Sequence, residues 1–272
     1  MEVMISCMEC QAQNGIPNFS SHSMIRLPDD GVIEATCPRG HQTFTIIQQV
    51  KFELLSDMAV KAIVDGYYRD AIASFTAALE RLYEFFVEAA CRKKGIEREA
   101  FNSAWKSLAK QSERQLGAFV ATFLIETGTP PKLLPRTQTE LRNDVVHKGK
   151  FPGRQEAVSF GQAVADCASP ILEMLRSDRF VEIVQKLVGE RLRDRHGRAW
   201  DANVRTSTYA ISTTFSLTRS ELEMDIEKAV AAYALRPDMA QAVKASHEIG
   251  AIIDLIRQNS AEPESQAIPP ED

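Results

Sequence analysis

The string Arg142-Asn143-Asp-Val-Val-His147 combines three side chains that are suited to chemistry on a phosphate group. Histidine side chains titrate near neutral pH, so His147 is equipped to move protons as a general acid or base. The planar guanidinium of Arg142 can hold a phosphate through two parallel hydrogen bonds. The amide of Asn143 can position a hydroxyl group or a phosphate oxygen. These residues are therefore a candidate site for phosphodiester chemistry.

The sequence places this string on a short predicted helix over residues 137–148. Thr137 and Glu140 have the spacing of a capping box, which predicts where the helix starts. Gly149 and Pro152 predict its end. His147 lies in the last turn, where the helix dipole favours a positive charge.

The helical repeat distributes these side chains over different faces. At about 100° per residue, Leu141 and Val145 lie together and face the core of a bundle. Asn143 and His147, at i and i+4, share another face. Val146 lies between the two faces, beside the arginine. An apolar residue within a polar cluster is typical of a surface that a second subunit or a ligand covers.

Two other interpretations apply to arginine and histidine at this spacing. The polar cluster of the short helix could instead cap the bundle and tie it together. A second string, Arg191-Leu-Arg-Asp-Arg-His196, has the same spacing but carries Leu192 after its first arginine. We interpret its arginines as a basic surface, either a solvated helix end or an RNA contact. No carboxylate cluster for Mg²⁺ accompanies the first string, because Asp144 alone cannot form a two-metal site.

The elements that must position these residues are mainly helical. Residues 45–200 have the apolar spacing of almost continuous amphipathic helix, and short connections favour an antiparallel bundle. A run rich in Thr and Ser over residues 201–219 predicts one long strand or a hairpin. Breakers and apolar spacing divide the helices into 46–64, 68–94, 97–125, 137–148, 155–176, 179–195, 220–234 and 237–257.

The N-terminal region contains two pairs of potential metal ligands. Cys7 and Cys10 form a C-x2-C pair, and Cys37 and His41 form a C-x3-H pair. Two β-like runs lie between the pairs, Met24–Leu27 and Val32–Thr36, and the turn at residues 28–31 joins them. This arrangement predicts a zinc ribbon with a closed, structural tetrahedral site. Metal binding would stabilise a region of about forty residues that is too small to fold alone.

The alternative for this region is that the same cysteines are scattered core thiols and His41 is merely exposed. The other two cysteines, Cys91 and Cys167, lie within helical patterns and are interpreted as buried core thiols. The predicted organisation is therefore a ribbon module over 1–44, a helical bundle over 45–200, a strand or hairpin with two helices over 201–258, and a disordered tail over 259–272.

Composition limits the functional classes. The chain has 272 residues, 44% hydrophobic and 25% charged, which is typical of a globular protein with a substantial core. Its net charge of −5 excludes a globally basic nucleic-acid coat protein but not a local basic surface. Five cysteines, without a secretion signal or a membrane-spanning run, predict a cytoplasmic protein with no membrane partner.

The Arg142-Asn143-x3-His147 string, late in an all-α bundle and followed by one more long helix, resembles the HEPN superfamily. The family motif is an arginine, usually followed by a polar residue, and a histidine four to six residues later. The run from Tyr68 to Glu80 is similar to the family's early bundle helix. The resemblance covers roughly residues 50–190 and excludes the N-terminal ligand pairs.

The resemblance implies a metal-independent endoribonuclease that works as a homodimer with a composite active cleft. The 2′-OH of the RNA attacks the adjacent phosphate and leaves a 2′,3′-cyclic phosphate and a 5′-OH end. His147 would carry the proton, Arg142 would stabilise the charge of the phosphorane, and Asn143 would position the reacting groups. The dimer would form through the helix that carries these residues.

The resemblance also leaves other functions open. Some HEPN proteins have no demonstrated nuclease activity and serve as nucleotide-binding, RNA-binding or protein-interaction modules. A zinc-ribbon adaptor with a helical dimerisation domain is a third possibility. The sequence has no P-loop, no G-x-S-x-G elbow and no H-E-x-x-H motif. By analogy with the family, a ribonuclease with a substrate-sensing module fits a toxin or phage-defence system with an antitoxin partner.

Overall fold

The computed structural model describes residues 1–14, 21–201, 204–219, 224–236 and 238–260. As the sequence predicts, the protein is mainly helical with a small β region near the N-terminus. The chain divides into two compact units. The small unit comprises the described residues of Met1–Ile47, Arg195–Tyr209 and Pro237–Asp272, and the helical unit comprises those of Gln48–Asp194 and Ala210–Arg236.

The small unit contains two short sheets. Its elements are β1 (Glu2–Ser6), α1 (Met8–Asn14), β2 (His22–Arg26), β3 (Val32–Thr36), β4 (Gln42–Ile47), β5 (Thr206–Tyr209) and α10 (Met239–Ser260). Strands β1 and β2 pair antiparallel, with Met4 opposite Met24. In the other sheet, β4 pairs antiparallel with β3 and parallel with β5. The two predicted β-like runs at 24–27 and 32–36 correspond to β2 and β3, and the turn at 28–31 connects them, although the two strands belong to different sheets.

Helix α10 packs on β1 and β2 through side chains that reach the strands. His22 Nδ1 lies 3.0 Å from Ser246 Oγ, and His247 Nε2 lies 2.6 Å from the carbonyl oxygen of His22. Arg39 forms an ion pair with Asp254 at 2.9 Å. These contacts hold the C-terminal helix to strands that lie more than 200 residues earlier in the chain.

The helical unit is organised around its longest helix. Its elements are α2 (Lys51–Val64), α3 (Tyr68–Lys93), α4 (Arg98–Leu108), α5 (Ser112–Thr127), α6 (Arg136–His147), α7 (Arg154–Arg176), α9 (Ile226–Ala234) and α8 (Val181–Asp201) as far as Asp194. Helix α3 contacts α2, α4, α5, α6 and α7, and its apolar side chains form the centre of the core. One contact with α7 is very close, because the Phe75 ring lies against Gly161.

Several predicted helices have different bounds. Helix α8 extends to Asp201 instead of 195, and α9 begins at Ile226 instead of 220. Two further differences have a clear structural cause. The first predicted helix starts at Lys51, since Ile46 and Ile47 are fully buried in β4, whose backbone pairs with two neighbouring strands. The helix predicted over 97–125 is two helices, α4 and α5. The break is stabilised by Gln115, whose Nε2 donates to the carbonyl of Ala109 at 3.3 Å and so satisfies an acceptor at the end of α4.

The segment after β5 is mostly irregular. Among the described residues of the predicted strand or hairpin, only Thr206–Tyr209 form a strand. Side chains on α2 and just before it accept hydrogen bonds from the backbone of the segment after β5. Gln49 accepts from the amide of Ile211, and Ser56 accepts from the amide of Phe215. The two helices that follow are α9 and α10. The predicted tail overlaps the end of α10 at residues 259–260, and the remainder of the tail lies outside the described residues.

Candidate functional site

The four predicted metal ligands come together in the small unit. Cys7 follows β1, and Cys10 lies on α1. Cys37 and His41 lie in the turn that joins β3 to β4. That turn closes through two backbone hydrogen bonds, from Gly40 to Cys37 at 2.8 Å and from Cys37 to His41 at 3.0 Å. Gly40 has a φ of 83°, which a residue with a side chain rarely adopts.

The four ligand atoms lie close enough together to surround a single ion. His41 Nδ1 lies 3.2 Å from Cys10 Sγ, 3.7 Å from Cys37 Sγ and 3.9 Å from Cys7 Sγ. All four ligand atoms lie within 4.8 Å of one another. Metal–ligand bonds of about 2.0–2.3 Å give tetrahedral edges of about 3.3–3.8 Å. The cluster can therefore hold a metal ion with four protein ligands.

The chemical state of the cysteines agrees with a metal site. The Sγ atoms of Cys10 and Cys37 are 3.7 Å apart, compared with about 2.05 Å in a disulfide, and no cysteine of the cluster is bonded to another. Burial and the two neighbouring thiols raise the pKa of Cys10 to about 12. A bound cation would reverse this penalty by stabilising the thiolates. The backbone amide of Cys10 also donates to Cys7 Sγ at 3.4 Å.

The two remaining cysteines belong to the helical unit. Cys167 is fully buried in the core, and Cys91 is half-buried against it. Burial raises the pKa of Cys167 to about 11. Both therefore lie in the apolar surroundings that the sequence predicts for core thiols.

The predicted motif helix corresponds to α6, with a different start. It runs from Arg136 to His147, and its N-cap is Pro135 without a side-chain cap. The predicted capping box between Thr137 and Glu140 is wrong, because the helix begins one residue earlier and Glu140 instead pairs with Arg136 at 2.8 Å. The helix ends at His147, one residue before the predicted end, and Gly149 just beyond it has a φ of 72°.

The faces of α6 match the helical-wheel expectation. Val145 is fully buried, and Leu141 packs against the core. The backbone carbonyl of Val145 also accepts a hydrogen bond from Arg69 Nε of α3 at 3.4 Å. Val146 is 40% exposed and His147 is exposed. The apolar side of α6 therefore holds the helix against the bundle, and the other side remains open.

The polar groups of the motif side chains have no partner in the bundle. Within the described residues, Arg142, Asn143 and His147 form no ion pair and no side-chain hydrogen bond. The Nε atom of Arg142 is buried and lacks an acceptor. Orphaned buried donors are rare in folded proteins and need an explanation. The interpretation that these three side chains tie the bundle together finds no support in these contacts.

Other charged groups around α6 are paired. Lys148 pairs with Asp144 at 2.8 Å, and Lys150 pairs with Glu156 at 2.6 Å. The hydrogen bond from Lys148 lowers the pKa of Asp144, so this carboxylate stays charged and occupied. Arg142 therefore differs from the cations beside it, because its guanidinium has no ion-pair partner among the described residues.

Comparison of the chain with protein-family models, curated proteins and solved structures found no match.

The second arginine–histidine string, residues 191–196, differs from the first because two of its arginines have partners within the protein. Arg191 forms an ion pair with Glu88 and lies over the Phe85 ring at 5.0 Å. Arg195 donates to the backbone carbonyl of Ile47. His196 is exposed. Two arginines of the predicted basic surface, Arg191 and Arg195, therefore have partners within the protein, whereas Arg193 is exposed.

Two residues near α6 were missed by sequence reasoning. Arg69 reaches the last turn of α6, and Phe151 lies just beyond its end with 89% of its surface exposed. No periodic pattern singles out Arg69, since its position depends on how α3 packs against α6. Phe151 did carry a signal, because it is an aromatic residue between a lysine and a proline in a predicted turn.

No helix of the described residues is long and apolar enough to span a membrane.

Proposed function

We propose that this protein is a metal-independent endoribonuclease of the HEPN type. The observation that carries the proposal is the state of Arg142, Asn143 and His147, which share one helix and lack any partner within the described residues. A phosphate-binding cation beside a titratable histidine is the minimum set for cleaving RNA through its own 2′-OH.

The reaction divides among these three side chains. The 2′-oxygen forms a bond to the adjacent phosphorus, the bond from phosphorus to the 5′-oxygen breaks, and the products are a 2′,3′-cyclic phosphate and a 5′-OH. His147 moves the proton between the 2′-OH and the leaving oxygen. Arg142 stabilises the extra negative charge of the phosphorane through two parallel hydrogen bonds. Asn143 positions the hydroxyl or a phosphate oxygen.

A second copy of the chain completes the cleft in this proposal. Val146 is a 40% exposed apolar residue on a helix whose neighbouring side chains are polar. Contact between two α6 helices about a two-fold axis would bury Val146 of each copy. The same contact would bring two sets of the motif residues to one cleft.

The metal of the Cys7, Cys10, Cys37 and His41 cluster is proposed to be zinc. Three thiolates and one imidazole at tetrahedral separations are the donor set that structural zinc prefers. Four protein ligands leave no open position, so the ion stabilises the small unit and takes no part in cleavage.

The test is incubation of purified protein with mixed RNA in EDTA, followed by analysis of the product ends and of the metal retained by the protein. We expect cleavage without added metal and ends carrying 2′,3′-cyclic phosphate and 5′-OH. Cleavage that requires Mg²⁺ or yields 5′-phosphate ends would contradict the mechanism.

The same experiment distinguishes the proposed endoribonuclease from a second candidate function, a non-catalytic HEPN module that binds nucleotides, RNA or another protein. The open polar side of α6 suits a bound phosphate whether or not chemistry follows. Binding of RNA to the wild-type protein, with sensitivity to Arg142→Ala and no cleavage under any condition, would favour that module.

A further inference from the structure

Beyond its first turn, helix α5 exposes an apolar side to solvent. Ile125 is 76% exposed and Leu124 is 46% exposed. Residues 115–125 contain no charged side chain. The next residue, Glu126, is buried and pairs with Lys93 at 2.6 Å, so it does not reach this side. A helix on a protein surface normally carries charged and polar residues where it faces water, and a continuous apolar patch there marks an interaction site.

The opposite side of α5 is apolar as well, and it holds the helix in the core. Phe119 is fully buried and stacks on Tyr83, with ring centroids 4.0 Å apart. Phe123 is buried, with its ring centroid 5.5 Å from that of Phe86. The exposed aliphatic residues are therefore not needed to attach α5 to its own bundle. A helix that is apolar all round is expected to be covered on both sides.

The exposed side of α5 has a shape that is complementary to itself. Gly117, Ala121 and Ile125 follow one another at intervals of four residues, so they are neighbours on the helix surface. Gly117 forms a recess, because a Cβ added there would meet no atom within 4 Å. Ile125 projects into solvent. Since the recess and the projecting side chain are equally far from Ala121, a two-fold axis at Ala121 would place Ile125 of each copy against Gly117 of the other.

The same axis is also favourable for charge. It would place Arg114 near Gly128 of the second copy, where α5 ends. Arg114 is exposed and has no ion-pair partner within the described ranges. The carbonyl groups at the C-terminal end of a helix favour a cation. This helix end already accepts one guanidinium within the chain, because Arg179 donates to the carbonyl of Glu126 at 2.7 Å.

We infer that α5 binds α5 of a second copy of this chain, antiparallel, about a two-fold axis at Ala121. The inference is independent of the proposed function, whose dimer forms through Val146 of α6. If both contacts form, the chain assembles into a tetramer or a larger oligomer. A side without charge does not suit a nucleic acid, whose phosphates require cations. An unrelated protein partner would not require a recess and a projecting residue placed symmetrically about one alanine.

The first test is disulfide cross-linking of the full chain under mild oxidation, followed by non-reducing electrophoresis. Ala121→Cys should form a cross-linked dimer, because a residue on a two-fold axis faces its own copy. Glu113→Cys should not, since it lies eight residues away, about 12 Å along the helix, and its own copy would be about 24 Å distant. A disulfide requires Cα atoms about 4.4–6.8 Å apart. The matched control Ala104→Cys, at an exposed alanine of α4, should behave like wild type.

The second test exchanges the recess and the projecting side chain. Gly117→Leu fills the recess and Ile125→Ala removes the projection, so each should lose the contact and halve the mass measured by light scattering at micromolar concentration. The double variant carries the projection at 117 and the recess at 125. Because the axis relates these two positions, the double variant should regain the mass of wild type. Circular dichroism of each variant shows that the loss of mass is not a loss of folding.

Three results would overturn the inference. They are absence of a cross-link in Ala121→Cys, equal cross-linking of Glu113→Cys or Ala104→Cys, and a double variant that stays at half the mass. Failure of the proposed α6 dimer gives a different result. If Ile125→Ala halves the mass and Val146→Glu does not change it, the α5 contact stands and the α6 contact fails. If only Val146→Glu lowers the mass, the α6 contact stands and the α5 contact fails.

Discussion

Glu53 Oε1 accepts the backbone amide of Leu217 at 2.8 Å, so a buried carboxylate on α2 holds a chain segment 164 residues away. The other carboxylate oxygen accepts the amide of Val50 at 3.0 Å, at the start of the same helix. Glu53 is only 6% exposed. Both of its oxygens therefore satisfy backbone donors that would otherwise be buried without an acceptor.

Replacing Glu53 with glutamine should change how stability depends on pH. Burial raises the pKa of Glu53 above its usual 4.5, although the amides of Leu217 and Val50 oppose this shift. Since this carboxyl then loses its proton at lower pH in the unfolded state than in the folded state, the contribution of Glu53 to stability falls as pH rises above about 4.5. The unfolding free energy of wild type minus that of Glu53→Gln should therefore fall over this range. Urea unfolding of both proteins at several pH values measures this difference in free energy. A difference that rises with pH would contradict the raised pKa of Glu53.

Adding one methyl group at Gly161 should destabilise the helical unit. A Cβ there would lie 2.6 Å from the Phe75 ring, which is fully buried in the core. Gly161→Ala should lower the unfolding free energy by about 1–3 kcal/mol, the usual cost of overpacking. The control Gly117→Ala meets no atom within 4 Å and should raise stability by about 0.5–1 kcal/mol. Denaturant unfolding measures the free energy of unfolding of both variants. Equal changes in the two would show that the close approach of Phe75 to Gly161 does not make the added methyl group destabilising.

Changing Cys37 to serine should remove the metal. Serine does not supply a thiolate, and three remaining ligands bind a structural ion much more weakly. Elemental analysis should find about one zinc per wild-type chain and much less in Cys37→Ser. Most of the helical circular dichroism signal should remain in this variant, while the N-terminal 44 residues should become sensitive to proteases. Cys91→Ser, outside the cluster, should retain the metal. Complete unfolding of Cys37→Ser would show that the helical unit depends on the metal.

Substitution of a proposed catalytic residue should lower the cleavage rate without lowering the stability of the protein. His147 is exposed at a helix end, so His147→Ala should lower the cleavage rate about 10²–10⁴-fold with little change in melting temperature. Arg142→Lys should also be severely impaired, because lysine lacks the planar pair of donors. His196→Ala should cleave like wild type. Retained activity in His147→Ala, or loss only in His196→Ala, would refute the assignment.

The proposed dimer predicts a specific effect at Val146. Val146→Glu would place a charge in the buried contact between two α6 helices and should shift the protein from dimer to monomer. Light scattering at micromolar concentration gives the mass of each variant. Leu235→Glu, a change at an apolar residue that is 85% exposed on the helical unit, should leave the mass unchanged. A monomeric wild type would count against the composite cleft.

The sequence alone determined the features that depend on local spacing. Apolar residues at helical intervals predicted the core face of α6 through Leu141 and Val145, and both pack as expected. Paired ligands at short intervals predicted the two halves of the metal cluster, because Cys7 and Cys10 lie within one helical turn and Cys37 and His41 lie in one turn between strands. Each of these features depends on residues only a few positions apart, whereas the contact between the two ligand pairs joins residues 27 to 34 positions apart.

Only the tertiary structure decided how distant segments combine. The run at Ile46 and Ile47 suits a helix or a strand, and pairing with β3 and with β5, about 160 residues later, makes it a strand. Residues 201–258 contribute to both units, which no local pattern indicates. The unpaired state of Arg142 is also a tertiary property, because an ion pair depends on which carboxylates packing brings within reach. Local spacing places a side chain on a helix face, but only the packed chain determines what that face contacts.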